Sequence, residues 1–493
     1  MLKKTTKTSK NGKEMENKKK KTNRDIWFTG IFFSVLFLAM MGYYAHFVYT
    51  QGDSMINNSY NSRQKLLTAK NYRGTIYSAD MEKLAETVVF ESGNEYRNYP
   101  YENLFAHVVG FSTKGKTGIE ALANPYLINS NIALEDKIDN EIAGVKNPGD
   151  NVYTSLRTDL QQIASRSLGV SKGAIIVSNV KTGEILAMVS KPDFNPCTIV
   201  EDWDGYLEDE DSSVLLNRAT QGIYPPGSTF KIVTSLAYLR EHNGNYQDYF
   251  YNCTGSFKYD NSKIGCYHGA VHNGVDLVKS FAKSCNCSFA HMGIELDRDI
   301  YHDTIMDLGF NQSLPVDFNY NQSKLKVDNS VSGEDMIQIS FGQGSVQMTP
   351  LHLHLITNAI ANGGTYMKPM LLNKVETVEG ELVKEFKPQA YKALMTEQEA
   401  DTLTMLMTSV VEQGTATKLK GLEYSAAGKT GSAEYNKVKE DSHAWFTGFA
   451  PAEDPEISVT IIVERIGSGG DYAVPIAKRL FDAYFATNQS QAN

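Results

Sequence analysis

The chain is poor in cysteine, with five in 493 residues, and it has a single long apolar run. An odd cysteine count excludes a fully paired set of internal disulfides, so at least one of Cys197, Cys253, Cys266, Cys285 and Cys287 stays free or pairs with another chain. One apolar run excludes a multi-pass membrane protein. Basic residues are scarce after position 24, where 38 Lys and Arg face 55 Asp and Glu. That acidic balance gives nucleic acid nothing to bind and fits the solvated surface of an exported domain.

The basic charge is gathered at the start. Residues 1–24 hold nine lysines and one arginine against Glu14 and Glu16. Residues 26–48 follow as the apolar run, with Trp27, Tyr43, Tyr44 and Tyr49 near its ends. Its length suits the roughly 20 residues that cross a bilayer. The edge aromatics fit interfacial belts, and the preceding lysines fit the positive-inside rule. A cleavable signal peptide is the competing reading, but the run is long for an h-region of about 7–15 residues, and no small-x-small site follows. The expectation is a basic cytoplasmic tail (1–25), one transmembrane helix (26–48) and everything later outside the cytoplasm.

The length implies two or three domains. Residues 49–150 are mixed and polar, with strand-like pieces at 74–77 and 106–111, and Pro148-Gly149-Asp150 has the turn chemistry of a boundary. A larger domain over 151–486 reads as α/β, with a short tail at 487–493. The pattern predicts a helix at 159–168 and a hairpin of 174–177 with 184–189. Strands follow at 444–450 and 457–463, the second alternating Ile457, Val459, Ile461 and Val463, and a last amphipathic helix covers 475–485.

Within that domain, Pro225-Pro226-Gly227-Ser228-Thr229-Phe230-Lys231 opens an amphipathic stretch with Ile232, Val233, Leu236 and Leu239 on one face. Residues i and i+3 share a helical face, so the Lys231 amine can take the proton of the Ser228 hydroxyl. The first-turn N–H groups of a helix lack intrahelical partners and can face an oxyanion. Spacing alone is weak evidence, because Ser-x-x-Lys also begins at Ser62, Ser178, Ser280 and Ser323, and Lys-Thr-Gly at Lys116, Lys181 and Lys429. Only Ser228 is followed in order by Ser284-Cys285-Asn286 and then Lys429-Thr430-Gly431.

That ordered triple resembles the serine penicillin-recognising enzymes, whose set is S-x-x-K, S-D-N and K-T-G. Cysteine stands here at the middle of the second motif. Asn217-Arg218-Ala219, Phe341-Gly342-Gln343-Gly344, Thr349-Pro350-Leu351 and Gly414-Thr415-Ala416 narrow the resemblance to class B penicillin-binding proteins, as do Arg73-Gly74-Thr75-Ile76 and Gly118-Ile119-Glu120. The resemblance spans about residues 60–486. It implies an antiparallel sheet packed by helices (α+β), which periodicity alone only permits, behind a short pedestal with no room for a glycan-polymerising domain.

The resemblance also implies the roles. Ser228 attacks a peptide carbonyl and neutral Lys231 accepts its proton. Ser284 passes a proton to the leaving amine, and Asn286 orients the substrate amide and Lys231. Lys429 and Thr430 bind the substrate carboxylate, and the N–H groups of Ser228 and Ser432, beside Gly431, form the oxyanion hole. The acyl donor is a peptidoglycan stem peptide ending in D-Ala-D-Ala, β-lactams acylate the same serine, and no cofactor is required. The partner implied is a multi-pass glycan polymerase.

Two other functions compete. A carboxypeptidase or β-lactamase would resolve the acyl-enzyme with water, but no glutamate motif for deacylation follows Ser284. A scaffold or β-lactam sensor would not need the intact nucleophile set. The cysteines leave three alternatives: free thiols, a disulfide between Cys253 and Cys266, or a zinc site of Cys253, Cys266, His272 and Cys285. Some rod-shape penicillin-binding proteins are similar in holding a metal there.

Overall fold

The computed structural model describes residues 6–56, 62–209, 211–434 and 442–492. The chain divides into two compact units, Met1–Leu66 and Leu67–Asn493.

The first unit is dominated by the helix Thr6–Ile56, which contains the apolar run. Among the described residues it is the one helix long and apolar enough to cross a membrane, with a mean hydropathy of 1.8 over its best window. Trp27, Phe32, Phe37 and Leu38 are exposed along it, as side chains that meet lipid would be.

The second unit is built on two sheets. One has six strands in the order Leu382–Glu385, Leu372–Glu376, Asn151–Thr154, Ile76–Tyr77, Lys83–Val89, Glu95–Asn98. Two of its strands come from far downstream. Beside this sheet lies a buried charge cluster, in which the Glu120 carboxylate accepts from Arg73 Nε at 2.5 Å and Arg97 Nε at 2.7 Å. The guanidinium forks repay the desolvation of the carboxylate between them. Gly74 passes so close to Asp150 that a Cβ would sit 1.9 Å from its carbonyl oxygen. Arg73-Gly74 and Glu120 are therefore packing residues of this region.

The other sheet is antiparallel, with five strands in the order Ala427–Ala433, His443–Ala450, Ile457–Val463, Gly173–Asn179, Ile185–Lys191. The hairpin read from residues 174–189 is its last pair, closed where Gly183 N donates to Asn179 O at 3.0 Å. The helix Pro350–Ala361 and the helix Gly469–Ala492 both pack on its central strands. Covered on both faces, the strand Ile457–Val463 buries all seven residues rather than every second one.

Three local expectations change. Residues 106–111 are not a strand: Ala106–Val109 form a helical turn, ended by Gly110 at φ +80°, where a Cβ would lie 2.2 Å from Thr117 O. A short apolar run carries no period that separates strand from buried helix. The last helix begins at Gly469, six residues before Pro475. The helix Lys231–Glu241, which follows Ser228, is not amphipathic in place, since every residue from Lys231 to Leu239 is buried.

Candidate active site

Gly227–Phe230 form a 3₁₀ turn that runs into the helix Lys231–Glu241. The turn is held from several sides. Tyr224 pairs with Met348 through both backbone bonds, and Gly227 N donates to Gly342 O at 2.9 Å. Trp445 Nε1 donates to Pro225 O at 3.2 Å. The Tyr224 hydroxyl donates to Glu464 Oε1 at 2.7 Å, and Arg218 Nε donates to the same oxygen at 2.8 Å. These ties give Asn217-Arg218-Ala219 and Phe341-Gly342-Gln343-Gly344 a physical meaning, because both brace the turn that presents Ser228. Glu464 carries no sequence signal; its partners lie more than two hundred positions away.

Lys231 and Lys429 are both fully buried, whereas Ser228, Ser284, Asn286 and Ser432 are partly open. Lys231 Nζ lies 3.1 Å from Ser228 Oγ, 2.7 Å from Ser284 O, 3.1 Å from Ser284 Oγ and 2.8 Å from Asn286 Oδ1. Two of those partners, a carbonyl and an amide oxygen, can only accept. A neutral amine spends its two N–H bonds on them and keeps its lone pair for a serine proton. Burial pushes the Lys231 amine down to about 8, while the thiols of Cys285, Cys266 and Cys287 pull it back up.

Ser284 joins the two lysines. Its hydroxyl is 3.1 Å from Lys429 Nζ as well, and Lys429 Nζ donates to Thr430 O at 3.0 Å. Burial, then repulsion from Lys231, holds Lys429 well below the ordinary lysine range. Ser284 sits at φ +54°, a left-handed conformation uncommon for a side-chain-bearing residue, which turns its carbonyl and hydroxyl toward the same amine.

The Lys-Thr-Gly strand crosses the turn Gly227–Phe230. A Cβ on Gly431 would meet Pro226 O at 2.9 Å and Thr229 Cγ2 at 3.1 Å, and one on Gly227 would meet Ser432 O at 3.0 Å. Only glycines let the two backbones approach this closely. The eight residues singled out from the sequence thus converge. Ser228, Lys231, Ser284, Asn286 and Lys429 form one hydrogen-bonded cluster, and Thr430, Gly431 and Ser432 border it on the edge strand.

Residues 173–482 match the family described as the penicillin-binding protein transpeptidase domain. The chain belongs to the penicillin-binding proteins. Residues 73–152 match the penicillin-binding protein A dimerisation domain, the pairing of a class B member. The chain is 30% identical over 457 residues to the peptidoglycan D,D-transpeptidase MrdA of Acinetobacter baumannii, covering 80% of this chain and 66% of that protein. It is also 30% identical over 449 residues to the peptidoglycan D,D-transpeptidase PbpA of Mycolicibacterium smegmatis, covering 85% and 90%. Among solved structures it resembles a D,D-transpeptidase domain from Eggerthella lenta, with TM-score 0.77, 28% identity and coverage of 85% and 99%. It similarly resembles penicillin-binding protein A of M. tuberculosis as an imipenem acyl-enzyme complex, with TM-score 0.76, 28% identity and coverage of 84% and 99%.

This penicillin-binding protein carries a thiol cluster directly against its second motif. All five cysteines are free. The sulfurs of Cys253 and Cys266 are 3.7 Å apart, against about 2.05 Å for a disulfide, so the alternative of a Cys253–Cys266 bridge is not the arrangement found. Cys253 Sγ lies 3.6 Å from His272 Nδ1, and Cys266 Sγ lies 3.6 Å from Cys285 Sγ. The four donor atoms all fall within 4.8 Å of one another. Three thiols and an imidazole form a zinc-type donor set, and tetrahedral bonds of about 2.0–2.3 Å would separate such donors by roughly 3.5–3.8 Å. Cys287 Sγ stands 3.4 Å from Cys266 as a further thiol at the edge. Cys285 and Cys287 flank Asn286, whose Nδ2 donates to Gly265 O at 3.2 Å. The cluster therefore borders Asn286 on both sides.

Proposed function

We propose that this protein is a peptidoglycan D,D-transpeptidase working through a serine acyl-enzyme on Ser228. The observation that carries this reading is the hydrogen-bond set of Lys231 Nζ, which reserves a lone pair beside Ser228 Oγ at 3.1 Å. Ser228 Oγ attacks the carbonyl carbon of the penultimate D-Ala, and its proton moves to Lys231 Nζ. The carbonyl oxygen becomes an oxyanion facing the N–H groups of Ser228 and Ser432. Collapse breaks the C–N bond, and the leaving D-Ala amine takes a proton relayed from Lys231 through Ser284. An amine of a neighbouring stem then attacks the ester, returns the proton to Ser228 by the reverse path, and forms the cross-link. Thr430 and Lys429 face the donor's terminal carboxylate, and Asn286 orients its amide.

Cys253, Cys266, His272 and Cys285 would hold a zinc ion. A closed four-ligand zinc supplies structural rigidity rather than reaction chemistry. In this reading residues 1–25 are cytoplasmic, 26–48 span the membrane, 49–150 form the pedestal, 151–486 the catalytic domain and 487–493 a tail. A multi-pass glycan polymerase supplies the strands to be cross-linked.

The test is intact mass after exposure of the detergent-solubilised chain to benzylpenicillin, with Ser228→Ala alongside. A stable single adduct on the parent and none on the variant supports the reading. Rapid consumption of penicillin without an adduct indicates a hydrolase, and neither event in a folded sample indicates a scaffold.

A further inference from the structure

Gly414-Thr415-Ala416 lies outside the mechanism above, yet it touches the carboxylate side of the site. Thr430 is buried, and among the described residues its hydroxyl meets one side chain, Thr415, with the two Oγ1 atoms 2.5 Å apart. Thr415 itself is exposed. Its neighbours hold it in place. Gly414 closes the helix Glu397–Gln413 where a Cβ would fall 2.3 Å from Ala282 O, and Gly414 N donates to Val410 O at 3.1 Å. Ala416 is fully buried, and its N–H also donates to Val410 O, at 3.1 Å. On the far side, Gly470 packs so closely that a Cβ there would lie 2.8 Å from Thr415 O. Glycine for close approach and alanine for burial thus clamp the threonine between them.

A hydroxyl has one proton and two lone pairs. If Thr430 gave its proton to Thr415, nothing would remain for an incoming carboxylate. If Thr415 donates, Thr430 Oγ1 is satisfied as an acceptor and its own proton is free to point into the site. We infer that Thr415 is a positioning residue whose hydroxyl donates to Thr430 Oγ1 and so commits the Thr430 proton to the carboxylate of the acyl donor. This rests on the transpeptidase reading, in which Thr430 faces that carboxylate. The Gly-Thr-Ala triplet is then part of carboxylate recognition.

The experiment follows acylation of the full-length, detergent-solubilised protein by benzylpenicillin, which carries a carboxylate. Time-resolved intact mass over a range of concentrations separates the apparent dissociation constant from the acylation rate constant. Without the Thr415 donor the Thr430 hydroxyl is no longer held with its proton toward the carboxylate, so Thr415→Val raises the dissociation constant about tenfold, with the rate constant held within about threefold. Thr415→Ser restores parental behaviour. Thr430→Val gives a similar loss, and Thr415→Val combined with Thr430→Val is no worse than Thr430→Val alone, because the two act as a unit. Thr415→Ala carries the same expectation as the valine variant and guards against a misfolded one. The inference is overturned if both Thr415→Val and Thr415→Ala acylate like the parent, if the losses multiply in the double variant, or if Thr415→Ser fails to rescue. A parent chain that forms no adduct at all would instead overturn the transpeptidase reading.

Discussion

Gly342 and Gly227 meet with no room for a side chain between them: a Cβ on Gly342 would fall 2.1 Å from the Gly227 carbonyl oxygen. The contact runs both ways, since Gly227 N donates to Gly342 O at 2.9 Å. Gly342 and Gly227 both have positive φ, +77° and +55°. A loop more than one hundred positions downstream therefore shapes the turn that presents Ser228.

Gly342→Ala should displace that turn. Left-handed strain alone costs of order 1–3 kcal/mol, and the clash with backbone adds to it. We expect acylation by benzylpenicillin to slow by at least about tenfold and the melting temperature to fall. Parental kinetics in this variant would show that Gly342 does not set the turn.

The pH profile of acylation should report Lys231. Burial lowers its amine to about 8, and in the proposed mechanism the neutral form is the base. Below that value the protonated form accumulates, so the rate should climb about tenfold per pH unit from pH 6 toward 8 and level off above. A profile flat across that range would remove Lys231 from the role of base.

Removing the carboxylate of Glu120 leaves the guanidinium groups of Arg73 and Arg97 buried without their counter-ion. Glu120→Ala is expected to cost roughly 3–5 kcal/mol in unfolding free energy, measured with urea. Ser228 should still acylate in the fraction that remains folded. An unchanged urea midpoint would mean that water has replaced the carboxylate at little cost.

The donor set of Cys253, Cys266, His272 and Cys285 predicts zinc in protein purified without chelator, measured by elemental analysis. Stripping it with a strong chelator should lower the melting temperature and slow acylation, because Cys285 and Cys287 bracket Asn286. Cys253→Ser should do the same. Protein that is free of zinc and indifferent to chelator would dispose of the metal and leave a cluster of thiols.

Much of the site was readable in advance because its chemistry depends on local spacing. Ser228 and Lys231 share one helical turn, and Ser284 stands two positions before Asn286, where the helix Asn286–Glu295 begins. The bracing residues were less legible. Glu464 holds Arg218 and Tyr224 across the chain, and no short pattern encodes such a partnership. Period was the other limit. Ile457, Val459, Ile461 and Val463 alternate as if one face met water, yet the helices Pro350–Ala361 and Gly469–Ala492 cover both faces. Residues 106–111 read as strand because so short an apolar-rich run has no period of its own, and the turn of helix over Ala106–Val109 is imposed by packing.

The six-stranded sheet has a consequence for how the molecule comes into being. Its member Asn151–Thr154 pairs on one side with Ile76–Tyr77 and on the other with Leu372–Glu376, which in turn pairs with Leu382–Glu385. Synthesis delivers the first four strands long before the last two. Until residue 376 emerges, the strand Asn151–Thr154 is an open edge, able to pair with any passing extended segment. A sheet whose first strand is made near residue 76 is thus finished only after the strand Leu382–Glu385 has been made, with its edge open in the interval.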